Sequence, residues 1–202
     1  MMDDRYTGAY EMVENKPTFD FTEMSRNIDK IAGKGGPPVD KWNPDMCGDI
    51  DMRILRDGTW LYEGTPIGRQ AMVTLFASVL WKEGNDYFLK TPVEKVGIKV
   101  DDVPFHFIHV EKVAHERGEA LCFISRTGDR VIASQEHPIR VETDPVTGEP
   151  SPYLYVRFGM EGLISRAVFY DLVEQSHEEM IDGVAHLVIN SAGETIVLGR
   201  SD

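Results

Sequence analysis

Two arginines occupy matching places in the chain and have the chemistry to bind an anion. Arg69 lies in the first turn of a predicted helix over residues 65–80, and Arg166 lies early in a second predicted helix over about 160–180. A cation opposes the helix dipole at such a position, so a compensating negative group is expected. The free N–H groups of a helix start and a guanidinium can together hold a phosphate or a carboxylate. Both arginines are therefore predicted to bind a ligand.

A structural role for these arginines is the competing interpretation. Each could pair with an acidic neighbour, such as Glu63 or Glu161, and join the parts of the fold. The chain carries 34 acidic residues, so partners are abundant, and spacing alone leaves both interpretations open. Arg157 is a third candidate, because a charge within the apolar strand YLYVRFG needs either a partner or an anionic ligand.

The segment TPVEKVGIKV supplies three further candidates, Thr91, Glu94 and Lys95. Thr91 and Pro92 end a predicted strand at a fixed turn, which would hold Lys95 in one place. Spacing alone favours ordinary strand-surface positions for Glu94 and Lys95. Only the family resemblance described below raises them to candidate binding residues.

Recognised catalytic patterns do not accompany these residues. The sequence has no nucleophile elbow, no HExxH zinc motif, and no Walker or dinucleotide fingerprint. His106 and His109 are three residues apart in a predicted strand, so they face opposite sides. Asp49 and Asp51 share a strand face but lack a third ligand for a divalent metal. We therefore predict no catalytic residue, no metal site and no cofactor.

The elements that position the two arginines follow a repeated pattern. Residues 67–76 align with residues 164–173 at a constant offset of 97, which places Arg69 on Arg166. Each helix follows a strand that ends in glycine and precedes a two-strand segment. This order predicts an α+β fold with a duplicated core, built from two strand–helix–strand–strand halves with mainly antiparallel sheet.

Three segments are predicted along the chain. Residues 1–47 form an N-terminal extension with a short helix over 18–36. Residues 48–105 form the first half, which opens with a hairpin around Asp57 and Gly58. Residues 106–202 form the second, strand-rich half.

Composition restricts the classes of partner. The net charge of −13 argues against a broad nucleic-acid or anionic-membrane surface, because phosphate binding needs an excess of Lys and Arg. No apolar run is long enough to span a bilayer, and the polar start lacks a signal-peptide core. Cys47 and Cys122 are isolated and are expected to be reduced thiols. These features predict a cytoplasmic protein.

Residues 48–105 resemble the bacterial family called domain of unknown function 1285. The matching features are the D-G-x-W-x-Y-x-G-x-P-I-x-R run, the LFASVL helix, and TPVEK followed by VDDVPF. Residues 152–174 are similar to the second block of that family. The resemblance implies a duplicated core and a C-terminal half loosely similar to pleckstrin-homology-type β folds. It also implies a nucleotide-like ligand between the halves and a role in signal transduction.

These observations together predict a non-enzymatic cytoplasmic sensor or binding protein. Its ligand would be a small anionic, nucleotide-like molecule between the two halves, with no nucleic-acid polymer bound and no membrane insertion. A homo-oligomer or a signalling protein partner stays open. The alternatives are a protein-interaction adaptor and, with less support, an enzyme with a dispersed site. The candidate ligand-binding residues are Arg69, Thr91, Glu94, Lys95, Arg157 and Arg166.

Overall fold

Residues 36–201 are described by the structure, a computed structural model. This part of the chain is mostly β, with two α-helices and one turn of 3-10 helix at Val39–Lys41. The predicted mainly antiparallel sheets and two similar halves are confirmed, whereas the helix content is lower than an α+β fold implies. The helix expected over 18–36 falls, up to residue 35, outside the described residues. The same is true of most of the predicted N-terminal extension.

The first sheet has six strands in the order β3-β2-β1-β6-β5-β4. Its strands are β1 (Met46–Ile54), β2 (Trp60–Tyr62), β3 (Thr65–Pro66), β4 (Leu80–Glu83), β5 (Asp86–Lys90) and β6 (Lys95–Val100). β1 and β6 pair in parallel, and the other neighbours pair antiparallel. The predicted hairpin joins β1 to β2. Its turn is closed by Asp57, whose carboxylate accepts from the Thr59 N–H at 2.9 Å, and by Gly58, which has a φ of 80°.

The second half contains two sheets. One has six strands in the order β10-β11-β12-β7-β8-β9, and the other has three in the order β13-β14-β15. β7 and β12 pair in parallel, whereas the other neighbours are antiparallel. The strands are β7 (Phe105–His115), β8 (Gly118–Ser125), β9 (Arg130–Ile132), β10 (Ile139–Thr143), β11 (Pro150–Arg157), β12 (Met160–Ile164), β13 (His177–Ile181), β14 (Val184–Ser191) and β15 (Glu194–Arg200).

The first helix, α1, is shorter than predicted and spans Gln70–Ser78. Thr65–Pro66 forms the edge strand β3, because Glu63 and Gly64 adopt positive φ values of 48° and 71° and turn the chain back on β2. Proline is tolerated at an edge strand, where its missing N–H removes no ladder bond. Arg69 is therefore the N-cap residue of α1 and does not lie in its first turn.

The second helix, α2, is also shorter than predicted and spans Arg166–Gln175. The residues expected to begin it, Met160–Ile164, form strand β12. Ser165 is the N-cap, and its hydroxyl accepts from the Val168 N–H at 3.4 Å. The chain leaves the helix after Gln175 because His177–Ile181 pairs with β14. Arg166 is the first helical residue.

One order of elements recurs in the two halves. In each, a two-residue turn with positive φ leads through a short strand to the helix: Glu63-Gly64 before α1, and Phe158-Gly159 before α2. Each helix is followed by three antiparallel strands, β4-β5-β6 or β13-β14-β15. The first trio joins the main sheet of its half through β1, whereas the second trio forms a sheet of its own. The halves are similar in element order and differ in how their sheets are completed.

A single apolar core connects the two halves. Phe76 and Leu80 from the first half and Phe107, Phe123 and Leu154 from the second belong to the same buried cluster. The rings of Phe107 and Phe123 pack edge to face with centroids 5.9 Å apart. Because the removal of apolar surface from water drives folding, this shared core fixes how the halves face each other.

A buried hydroxyl attaches the three-stranded sheet to its neighbour. Ser191 is fully buried, and its Oγ accepts from the Leu121 N–H at 2.9 Å and donates to the Ala133 carbonyl at 2.6 Å. Ser191→Ala would leave both backbone groups unpaired, and we expect it to lower the free energy of unfolding by about 1–3 kcal/mol. Urea unfolding measures this. Ser176→Ala is the control, because the Ser176 hydroxyl only donates to Val173 within its own helix end. Equal losses in both variants would contradict the role of Ser191.

Candidate functional site

A cavity of about 200 Å³ lies where the two halves meet. Arg56 reaches it from the β1–β2 turn of the first half, and Arg166 reaches it from the start of α2 in the second. The other residues that line it are His106, Glu149, Pro150, Ser151, Pro152, Leu163, Ile164, Ser165, Phe169 and Tyr170.

The guanidinium of Arg56 bridges the halves at this cavity. Its Nη2 donates to the Ser151 hydroxyl at 2.8 Å, and its Nη1 lies 3.2 Å from an oxygen of Asp102. The Tyr153 hydroxyl donates to the same Asp102 oxygen at 3.1 Å. The Arg56 side chain is 55% exposed, so its ion pair contributes little to stability. An incoming anion can therefore compete with Asp102 for this guanidinium.

Arg166 lies on the opposite wall and pairs with a carboxylate that the sequence did not indicate. Its Nη2 donates to Glu149, and not to the expected Glu161, which is instead bound by Arg140. The Arg166 side chain is 62% exposed, and Glu149 raises its pKa. One exposed carboxylate leaves most of this guanidinium accessible beside the first N–H groups of α2.

His106 forms an inner part of the cavity. Its Nδ1 is buried and has no hydrogen-bond partner among the described residues. Burial lowers the pKa of the ring, and the nearby positive charge of Arg126 lowers it further. The β1–β2 turn packs directly on this histidine, since a Cβ at Gly58 would lie 2.7 Å from the His106 Cβ. A histidine with one unpartnered ring nitrogen in the described part of the chain thus lines the same cavity as Arg56 and Arg166.

Arg69 does not line this cavity. It caps α1 with an extended backbone, its side chain makes no cap hydrogen bond, and no ion pair involves it within residues 36–201. The next residue, Gln70, donates to the Arg126 carbonyl at 2.8 Å. The two helix starts that the sequence related to each other therefore do not both line this cavity.

Arg157 is held from several directions. Its Nη1 donates to Asp129 at 2.8 Å, its Nη2 donates to the Ala77 carbonyl at 2.9 Å, and its guanidinium lies 4.8 Å from the centre of the Phe105 ring. Asp129 in turn accepts from the hydroxyls of Ser125 and Thr127. Because Ala77 belongs to α1, this arginine links the first half to the second.

The Thr91–Lys95 segment also lies apart from the cavity. Thr91 is fully buried, and its hydroxyl accepts from the Glu94 N–H at 3.2 Å, which closes the turn between β5 and β6. Lys95 pairs with Glu83 at 2.9 Å and lies 5.0 Å from the centre of the Phe88 ring. Of the six residues predicted to bind ligand, only Arg166 lines the cavity between the halves.

Comparison with known families identifies both halves of the chain. Residues 37–103 match the N-terminal domain of the DUF1285 family, a domain of unknown function, and residues 104–198 match the C-terminal domain of the same family. This chain belongs to the DUF1285 family. No curated protein matches the chain.

Solved DUF1285 structures resemble this one. A DUF1285 protein from Silicibacter pomeroyi DSS-3 is 46% identical, with a TM-score of 0.77, over 90% of this chain and 95% of that one. A DUF1285 protein from Shewanella baltica OS155 is 30% identical, with a TM-score of 0.50, over 61% of this chain and 91% of that one. The fold described above is therefore a DUF1285 fold.

The two DUF1285 domains both contribute to the cavity. Arg56 comes from the N-terminal domain, whereas Ser151, Arg166 and Tyr170 come from the C-terminal domain. Within residues 36–201, no three His, Cys, Asp or Glu side chains are grouped so that they could hold a metal ion. No helix in that range has the length and apolarity needed to cross a bilayer.

Proposed function

We propose that this DUF1285 protein is a non-enzymatic cytoplasmic sensor that binds a small phosphate-bearing anion between its two domains. The observation that carries the proposal is the pair of exposed guanidiniums, Arg56 and Arg166, on one cavity but on different domains. Guanidinium groups bind phosphate and carboxylate through two parallel hydrogen bonds. An anion that contacts both guanidinium groups joins the domains, and this change in domain contact converts ligand binding into a signal.

A nucleotide-like ligand suits the remaining surface of the cavity. Tyr170 lines it beside Arg166 and is 53% exposed, so its ring is free to stack on a base. The Ser151 hydroxyl offers a polar group on the cavity wall. A loose similarity of the C-terminal domain to pleckstrin-homology-type folds would fit a signalling role, and it remains part of this proposal.

Thermal unfolding with ligands tests the proposal. Ligand at one hundred times its dissociation constant stabilises the folded state by about 2.7 kcal/mol, so a nucleoside phosphate that binds should raise the melting temperature. Arg56→Ala and Arg166→Ala should each abolish that rise. Their ligand-free melting temperatures should stay near the wild-type value, because exposed ion pairs contribute only about 0–1 kcal/mol.

Arg69→Ala is the matched control, because it removes an exposed arginine from the other helix start without touching the cavity. It should keep the full ligand-induced rise. A rise that survives in both cavity variants, or that Arg69→Ala removes equally, would place the ligand elsewhere. If neither inorganic phosphate nor any nucleoside mono-, di- or triphosphate raises the melting temperature, the proposal is wrong.

A further inference from the structure

A second and larger cavity lies in the C-terminal domain, beside the proposed anion site. It is a groove of about 710 Å³ between β10, α2 and the β14–β15 hairpin. Its volume falls within the range of about 300–1,000 Å³ that is usual for small-molecule sites. The apolar residues that line it are Val141, Phe169, Val173, Leu187, Val197 and Leu198.

A bulge in β15 gives the groove its apolar wall. Leu187 pairs with Gly199 and Val188 pairs with Val197, so Leu198 has no partner opposite it. Successive residues of a regular strand point to opposite faces, yet both Val197 and Leu198 line this groove. The bulge therefore adds one apolar side chain to the wall. β10 and β15 are the edge strands of their sheets, and the groove lies between them.

The charge of the groove is opposite to that of the whole protein. Its charged or titratable lining residues are His186 and Arg200, which lie directly opposite each other on β14 and β15. Arg200 has no ion pair with any of residues 36–201. Three acids lie nearby and do not line the groove: Glu142 is bound by Arg140, Glu149 is bound by Arg166, and Glu179 lies opposite His186 on β13. The chain has a net charge of −13, so an apolar groove with a basic end favours ligands that combine an apolar part with a negative charge.

We infer that this groove binds a monocarboxylate with an apolar chain, a molecule of the fatty-acid class. The carboxylate pairs with Arg200 beside His186, and the chain lies along the apolar wall. Burial of each methylene contributes about 0.8 kcal/mol, so the chain supplies most of the affinity and the arginine supplies the orientation. The inference is independent of the proposed phosphate site, which shares only Pro150 and Phe169 with the groove.

Calorimetric titration with dodecanoate, below its micellar concentration, tests this inference. We expect saturable binding of one dodecanoate per chain, and binding of dodecan-1-ol at least about tenfold weaker because it lacks the charge-assisted contact. Arg200→Ala should weaken dodecanoate binding by about tenfold and leave dodecan-1-ol binding unchanged. Val197→Glu should abolish binding of both, since it places a carboxylate in the apolar wall.

Val184→Glu is the matched control for the wall variant. Val184 is 37% exposed and Val197 is 41% exposed, both belong to the same three-stranded sheet, and only Val197 lines the groove. Val184→Glu should bind dodecanoate normally, as should Arg56→Ala, which alters only the phosphate site. Thermal unfolding confirms that each variant is folded. If Val197→Glu does not fold, the effect of the exposed Arg200→Ala still decides the question.

Several results would overturn the inference. These are no saturable binding of dodecanoate, equal affinity for dodecan-1-ol, or normal dodecanoate binding in Arg200→Ala. Sedimentation with phosphatidylglycerol vesicles separates a free carboxylate from a lipid surface. A further contrary result is a wild type that binds no dodecanoate but sediments with the vesicles, while Arg200→Ala does not sediment. That result would contradict the inference and show that the groove binds a lipid surface.

Discussion

Arg157→Met is expected to lower the free energy of unfolding by about 3 kcal/mol, a loss typical of breaking a largely buried ion pair. Asp129 would keep its charge and lose its guanidinium partner. The Ala77 carbonyl would also lose its 2.9 Å hydrogen bond from Arg157, which is a link between the two domains. Methionine is close in volume to the arginine stem, so little cavity is created. The decrease in the free energy of unfolding therefore comes mainly from the lost polar contacts. Urea unfolding provides the measurement.

Arg130→Met is the control for this prediction. Arg130 follows Asp129 in the chain, but its side chain is exposed and pairs with Glu111 at the surface. Its removal should change the free energy of unfolding by less than about 1 kcal/mol. The double variant Arg157→Met with Asp129→Asn should regain part of the loss, because asparagine carries no charge to bury. Equal losses for Arg157→Met and Arg130→Met would show that the interdomain contacts of Arg157 stabilise the protein no more than a surface ion pair does.

Acid should reduce the difference in free energy of unfolding between the wild type and Arg157→Met. Burial disfavours the charged form of Asp129, but Arg157 and the hydroxyls of Thr127 and Ser125 outweigh it, and the net pKa is lowered. A carboxyl whose pKa is lowered by folding stabilises the folded state at pH values above its unfolded-state pKa of about 3.9. That stabilisation is lost as the pH falls through the pKa of the folded state. Arg157→Met lacks the guanidinium that lowers the pKa of Asp129. The free energy of unfolding of this variant, measured in urea, should therefore fall less between pH 5 and pH 2 than that of the wild type.

Local patterns in the sequence predicted the elements that depend on nearby residues. Asp57-Gly58 marks a turn, and the apolar stripes of both helices were recognisable from their spacing. The helix starts were placed too early because an amphipathic pattern continues through Thr65–Pro66 and through Met160–Ile164. Those residues form strands because a two-residue turn pairs them with the preceding strand. Strand pairing competes with helix formation over such segments, and periodicity alone does not decide the outcome.

The candidate site was predicted only where a local signal existed. Arg166 was identified because it aligns with Arg69 and, like Arg69, places a cation near a predicted helix start. Arg56 and His106 carry no such signal, since Arg56 is an ordinary residue before a turn and His106 an ordinary residue in a strand. Their importance arises when the β1–β2 turn packs on β7, where Gly58 meets His106. That contact joins distant segments, and a single sequence does not reveal it.

The parallel pairing of β12 with β7 is another contact that the sequence did not indicate, and Gly162 makes it possible. Gly162 pairs with Phe105. A Cβ at this position would lie 2.4 Å from Cε2 of Phe107 and 2.9 Å from Cβ of Phe105. Both phenylalanines are buried at about 1% exposure or less, so neither ring has free space to move into.

Gly162→Ala is therefore expected to lower the free energy of unfolding by about 3 kcal/mol, at the upper end of the usual effect of overpacking a core. Gly68→Ala is the control, because a Cβ there meets nothing within 4 Å, and it should stay within about 0.5 kcal/mol of the wild type. Phe107→Leu should relieve the clash, so the losses from Gly162→Ala and Phe107→Leu should be less than additive in urea unfolding. If they are additive, or if Gly162→Ala unfolds like Gly68→Ala, then the close approach of β12 to the Phe107 ring is not what requires glycine at this position.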